Sequence, residues 1–212
     1  MFYRDPQNIY RVSELDRIPW LEHGFGTRRS NVAQNGMLAT LHQIHSAICL
    51  PARGRSGLLG DGDALLENTP GRLVGVKTAD CIPILLVDEQ NRAVAAVHAG
   101  WRGTAAGIAG EAIARMAAEF STRPERLHAA IGPGIGKCCY EVGPEVAAQF
   151  GAEGPCKIDL PGANHSQLLT AGVPVQQIYT AGLCTMCGVE DFDSFRRDKE
   201  KAGRMISFAG VK

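Results

Sequence analysis

Residues 73–98 read LVGVKTADCIPILLVDEQNRAVAAVH, and this stretch decides the fold. Three β-rich apolar runs, 73–77, 82–88 and 93–98, are separated by turn chemistry, with a hairpin expected at 88–92. None of the runs alternates cleanly between polar and apolar residues, so both faces of these strands are expected to be covered by other layers. Working outward, GWRG at 100–103 reads as a turn, after which Thr104 can cap a helix. That helix repeats Ala105, Ala109, Ala112, Ile113, Met116 and Phe120 at three- and four-residue spacing, with Glu111, Arg115 and Glu119 on the opposite side. Residues 127–131 form another short strand, and the Gly-Pro-rich GPGIGKCCYEVGP at 132–144 can only be a loop before a helix near Pro144. A short helix over 161–171, a strand over 177–180 and a final strand over 203–211 complete the order. Strands and helices mix without a regular βαβ alternation, which favours an α+β layered fold over a doubly wound one.

The bulk properties fit one domain over 1–212. Hydrophobic residues make up 45% and charged residues 21%, the ordinary range for a globular chain. Lys plus Arg equals Asp plus Glu at 22 each, without long runs of one sign, so a nucleic-acid partner is not expected and a small-molecule substrate is. The first residues lack the apolar core of a secretory signal and no stretch approaches the ~20 apolar residues of a membrane span, which points to the cytoplasm. Seven cysteines, an odd number spread along the chain, argue for reduced thiols rather than a disulfide framework.

Three soft ligands stand at the edges of apolar runs: His45, Cys81 and His98. His45 sits in TLHQIHSAICL, read as the start of a strand; Cys81 ends TADC, and His98 ends AVAAVH. Singly, each reads more often as a packed core residue than as a ligand. Jointly, one thiolate and two imidazoles suit zinc, with copper possible, and a fourth position left open is the arrangement of a catalytic site. Without metal, Cys81 beside a histidine is a candidate thiolate nucleophile. Asp80 reads either as a partner orienting an imidazole or as a loop-end cap.

Cations able to bind an anion are Arg28 in FGTR, Arg102 in GWRG, Lys137 beside the GPGIG glycines, and Arg196 or Arg197 in SFRRD. Any one of the arginines reads more often as a solvated or ion-paired side chain, and the GPGIGK segment as readily as a simple turn. Trp101 can stack on a flat base or serve as a packing anchor. Cys138 and Cys139 are vicinal and 184–187 is a lone CxxC; with no second CxxC, unconnected thiols are expected rather than a structural zinc. His42 is not counted among the ligands.

In order along the chain, FGTR, QIHS, GDGDAL, GVKTADCIPILL, AVHAGWRGTAAGI, IGPGIGKCCYEVG, CT and SFRRDKEKAGRM resemble the YfiH-like family, also labelled laccase-domain polyphenol oxidoreductases, purine nucleoside phosphorylases or peptidoglycan editing factors. TADC followed by HAGWRG is the most specific part. The resemblance implies a layered α/β/β/α sandwich of mixed sheets with flanking helices, and zinc or copper on His45, Cys81 and His98. It further implies phosphorolysis of adenosine, inosine, guanosine and methylthioadenosine, with hydrolytic deamination of adenosine, so a purine nucleoside and phosphate are the expected small-molecule partners. Cys81, His98 and Asp80 are then the expected catalytic set, and Arg28, Arg102, Trp101, Lys137 and Arg196 the substrate side.

Alternatives are a hydrolase of a UDP-muramoyl amino acid peptidoglycan precursor, a copper oxidase of phenols, and a metal-binding scaffold without turnover. The oxidase ranks low because the chain offers one dense ligand set. The chain departs from the family between FGTR and TLHQIH, where only RSNVAQNGMLA intervenes and the family carries a longer segment beside its site. That shortening bears most on Arg28. The oligomeric state is left open.

Overall fold

A computed structural model describes residues 1–32 and 36–212. Its framework is two mixed sheets stacked face to face. The seven-stranded sheet runs, in spatial order, Phe2–Arg4, Ile9–Val12, Leu21–Gly26, Met205–Val211, Arg72–Thr78, Leu38–His42 and Gly57–Asp61. The six-stranded sheet runs Ile178–Thr180, Leu127–Ile131, Ile82–Asp88, Ala93–Ala99, Ala64–Glu67 and Cys49–Pro51.

The expectation of doubly covered strands is met residue by residue: every position of Ile82–Asp88 and of Ala93–Ala99 is buried. One face, with Leu85, Val87, Val94 and Ala96, packs on Val74, Val76, Leu41 and Ala209 of the other sheet. The opposite face, with Ile84, Leu86, Ala95 and Val97, packs on helical Ile108, Ala112, Ile113 and Met116. Burying a Val, Leu or Ile side chain contributes ~1.5–3 kcal/mol, so this double interface is the main favourable term holding the fold. The hairpin pairs Ala93 with Asp88 and continues to Ala99 with Ile82. Asp88 closes it by accepting from the backbone N–H groups of Gln90 and Asn91. The helices Ile108–Phe120 and Leu160–Thr170 flank the six-stranded sheet, while the outer face of the seven-stranded sheet closes over Ile9, Leu38 and Phe208.

Two local readings change. The turn expected at 100–103 is the opening of a helix, Trp101–Ala105, with extended Gly100 at its N-cap. Thr104 therefore caps nothing; it is buried inside that helix, where its Oγ1 accepts from Asn164 Nδ2 and docks the helix Leu160–Thr170. A break at Gly107, left-handed at φ 78°, separates it from Ile108–Phe120. His45 does not open a strand but stands at φ 60° in the loop between Leu38–His42 and Cys49–Pro51. Of the shortened segment 29–39, residues 33–35 lie outside the described residues.

One buried titratable group away from the site makes a pH prediction. His23 is buried on Leu21–Gly26, and its Nε2 accepts from the Val12 N–H at 3.0 Å, a role open only to the neutral ring. Burial pushes its pKa down to about 4 from 6.5. With the folded value below the unfolded one, the unfolded chain binds the extra proton first, so stability is full above pH 6.5 and falls as pH drops toward 4. The gap corresponds to about 3 kcal/mol. In urea unfolding at pH 7 and pH 4, His23→Gln, which keeps an acceptor but no titrating ring, is expected to lose less stability than the wild type. Equal losses would refute the assignment.

Candidate metal centre

The ligand trio is gathered by the sheets. Cys81 stands in the tight bend between Arg72–Thr78 and Ile82–Asp88, and His98 near the end of Ala93–Ala99, opposite Pro83 in the hairpin register. The loop bearing His45 is held on both sides. Gln43 imitates a strand residue, its Oε1 accepting from the Lys77 N–H and its Nε2 donating to the Lys77 carbonyl, both at 2.8 Å. His45 and Ser46 donate backbone N–H groups to Asp63 at 3.0 and 2.6 Å. One ligand atom from each of His45, Cys81 and His98 then lies within 4.8 Å of the other two, with Cys81 Sγ 4.0 Å from His45 Nε2.

Asp63 sets the electrostatics. It is fully buried at the head of Ala64–Glu67 and takes the N–H of His45, the N–H and hydroxyl of Ser46, and His98 Nδ1 at 2.7 Å. Burial opposes its ionisation, but the hydrogen bonds from His98 and Ser46 prevail and hold the carboxyl down at about 2. Ionised Asp63 fixes the proton of His98 on Nδ1 and frees Nε2 for the cluster. In the metal-free chain burial likewise works against charge on His98 and Cys81. The partners prevail again: Asp63 and Cys81 lift His98 to about 9, and His45 with His98 lower Cys81 to about 6. The sulfur is thus held as a thiolate, the form that binds metal.

The donor set fits a tetrahedral ion. Zinc takes sulfur at ~2.3 Å and imidazole nitrogen at ~2.0–2.1 Å, which places such atoms about 3.6 Å apart, close to the 4.0 Å present between Cys81 and His45. Gly100 keeps the space clear, because a Cβ there would sit 3.0 Å from both Cys81 Sγ and His45 Cδ2. The three ligands open into a cleft of about 740 Å³, a size suited to a small molecule.

The cleft contains some of the expected substrate residues and not others. Trp101, Arg102 and Arg196 line it. Arg102 stacks on Trp101 at 4.2 Å, and Arg196 lies over the Tyr140 ring at 5.3 Å while donating to the Glu141 carbonyl. Arg28 and Lys137 are not in its wall. Arg28 donates to the Val189 carbonyl and stands 3.7 Å from Asp193, and Lys137 is exposed beside Cys138. Arg197 is consumed by the Thr185, Met186 and Phe192 carbonyls and by Asp198.

Of the two roles read for Asp80, the geometry matches the loop-end one. At φ 91°, it accepts from Thr185 Oγ1, Ser194 Oγ and the Arg196 N–H, and its carbonyl accepts from the Ile135 N–H, tying three loops together. The residue that orients an imidazole is Asp63. It lies in GDGDAL, where its sequence signal is a carboxylate leading directly into an apolar strand, a placement that requires buried partners. Lys77, Lys199, Arg204 and Tyr140 also line the cleft, although no sequence motif marks them. Four of the other six cysteines, Cys138, Cys139, Cys184 and Cys187, expected as unconnected thiols, instead converge, so the chain has two dense ligand sets among the described residues.

Residues 26–212 match the profile of the family described as multi-copper polyphenol oxidoreductase laccase. The chain belongs to that family. A Deinococcus radiodurans protein named purine nucleoside phosphorylase is 40% identical over 183 residues, covering 82% of this chain and 70% of its own length. One of the same name from Bacteroides thetaiotaomicron is 40% identical over 167 residues, covering 72% and 62%. A protein of an unknown prokaryotic organism named adenosine deaminase RL5 is 40% identical over 163 residues, covering 70% and 61%. The chain thus spans less than two thirds of the latter two. Among solved structures, YfiH from Bacillus licheniformis superposes with a TM-score of 0.91 at 26% identity, covering 100% of this chain and 99% of that one. YlmD from Geobacillus stearothermophilus gives 0.89 at 26% identity. The two mixed sheets with flanking helices are the fold of these proteins.

Proposed function

We propose that the chain is a zinc-dependent purine nucleoside phosphorylase that also deaminates adenosine. The observation that carries this reading is the charge of the cleft. Beside the His45, Cys81 and His98 opening stand Lys77, Arg102, Arg196, Lys199 and Arg204, while the carboxylate of the only acidic lining residue among those described, Asp80, is occupied by Thr185, Ser194 and Arg196. Such a wall is complementary to a phosphate held for attack and to the negative charge that develops on the purine as the glycosidic bond breaks. In phosphorolysis a phosphate oxygen bonds to C1′ as the C1′–N9 bond breaks, and the base leaves with a proton.

Trp101 and Tyr140 offer aromatic faces on which a purine can stack, and the Arg102 and Arg196 guanidinium groups are already positioned against those rings. When bound, zinc supplies a Lewis-acid centre able to lower the pKa of water, the chemistry that attack on C6 of adenine requires. Asp63 keeps His98 Nε2 aimed at the ion, and Gly100 leaves room for it. The names of the relatives from Deinococcus radiodurans and of adenosine deaminase RL5 agree with both reactions.

The test is product analysis. Zinc-loaded protein incubated with inosine is expected to release hypoxanthine only when phosphate is present, and with adenosine to form inosine without it. Metal-loaded protein that does neither would overturn the proposal. The cleft geometry makes one further demand. Gly100→Ala is expected to press its methyl on Cys81 and His45 and weaken zinc by about ten- to a hundredfold, the range met when the surroundings of metal ligands are disturbed. Competition against a chromophoric chelator measures this; unchanged affinity would show that the ligands are placed otherwise.

A further inference from the structure

The strands Leu127–Ile131 and Ile178–Thr180 pair in parallel, Ile131 opposite Thr180, so the loops that follow them leave the sheet at the same edge. The first loop carries Cys138 and Cys139, the second Cys184 and Cys187. The loops are cross-linked by the Thr185 N–H donating to the Gly134 carbonyl at 3.0 Å and the Gly134 N–H donating to the Leu183 carbonyl at 3.3 Å. One sulfur from each cysteine lies within 4.8 Å of the other three, with Cys138 and Cys187 at 3.8 Å and Cys139 and Cys187 at 3.4 Å. Four sulfurs at ~2.3 Å from a tetrahedral ion stand about 3.8 Å apart.

We infer that Cys138, Cys139, Cys184 and Cys187 form a structural tetrathiolate zinc site, separate from the His45, Cys81 and His98 centre. The surroundings suit an anionic cage. The Gly136 N–H donates to Cys184 Sγ at 3.3 Å. Loading exchanges four thiol protons, lost to solvent, for one dication and leaves a net charge of −2, which Lys157, hydrogen-bonded to the Cys138 carbonyl, and the neighbouring Lys137 offset. No sulfur is paired in a disulfide. Closed, all-thiolate coordination is the structural rather than the catalytic pattern.

Its consequence for the cleft is positional. Ile135 and Tyr140, on either side of the cysteine pair, line the cleft wall, and the Ile135 N–H reaches the Asp80 carbonyl beside Cys81. A clamp on the two loops therefore fixes that wall.

The full chain carrying His45→Ala and His98→Ala, equilibrated with zinc and desalted, is expected to keep one zinc per chain with an all-sulfur shell by X-ray absorption. Adding Cys184→Ser and Cys187→Ser is expected to remove that zinc. Zinc absent from the histidine variant, nitrogen in its shell, or a Cys139–Cys187 disulfide in its peptide map would each overturn the inference. Should the variants fail to fold, the wild type decides it. With both sites filled its averaged zinc shell is mostly sulfur, whereas filling of the histidine centre alone gives mostly nitrogen.

Discussion

Cys81→Ala is expected to abolish phosphate-dependent base release, by about a thousandfold or more, while leaving a folded protein. The sulfur is one of three ligands, and the loss of the centre it completes removes several kcal/mol of transition-state stabilisation. The fold tolerates the change because Cys81 is only half-buried and sits in a bend held by Asp80, not by the thiol. The same experiment separates two chemistries that the residues alone leave open. If Cys81 acts as a ligand, stripping the metal from the wild type reproduces the loss and restoring zinc reverses it. If it were a nucleophile, the stripped wild type would stay active and only the variant would fail. Circular dichroism and zinc stoichiometry should accompany the rates, so that a dead but unfolded protein is not mistaken for the predicted outcome.

Asp63→Ala is expected to have the second large effect, on stability as well as on the site. It removes the acceptor for His98 Nδ1, for the His45 and Ser46 N–H groups and for the Ser46 hydroxyl, leaving buried donors without partners. Breaking a buried charged pair from one side costs about 3–5 kcal/mol, so denaturant midpoints should fall steeply. Asp63→Asn keeps the volume but turns an amide donor toward donors; stability should fall less, and zinc affinity should still drop by about ten- to a hundredfold because the tautomer of His98 is no longer fixed. A wild-type zinc affinity in Asp63→Asn would remove Asp63 from the site.

The sheet was legible in the sequence where two-sided burial leaves its mark. The runs at 82–88 and 93–98 are apolar on both faces, and their residues occupy the two cores, Leu85 and Val87 against the other sheet, Ile84 and Leu86 against the helix. The helix was legible in its period but not in its start: Gly107 breaks it and Gly100 caps it, so Thr104 serves Asn164 instead. His45 was found as a candidate, yet its loop depends on Gln43 reaching Lys77 and on Asp63 reaching back to Ser46, contacts that no local pattern encodes. The cysteine cluster was hidden for a related reason. Local spacing reveals the two halves as a vicinal pair and a CxxC, and only the parallel pairing of Leu127–Ile131 with Ile178–Thr180 joins them. Arg28 and Lys137 were drawn in by their sequence neighbours, whereas Lys77, Lys199 and Arg204 enter the cleft from separate elements.

The uneven mounting of the three ligands has a kinetic side. His98 belongs to a fully buried strand, and Cys81 precedes another, whereas His45 is exposed on a left-handed turn outside any strand, where Asp63 and Lys77 hold the backbone of its loop but not its ring. Swinging the His45 ring aside needs no strand to open, while freeing His98 means disrupting the sheet itself. An ion would then arrive and depart through a doubly held intermediate on Cys81 and His98, with His45 as the latch. Its exchange rate would follow the motion of that one loop, not the unfolding of the domain.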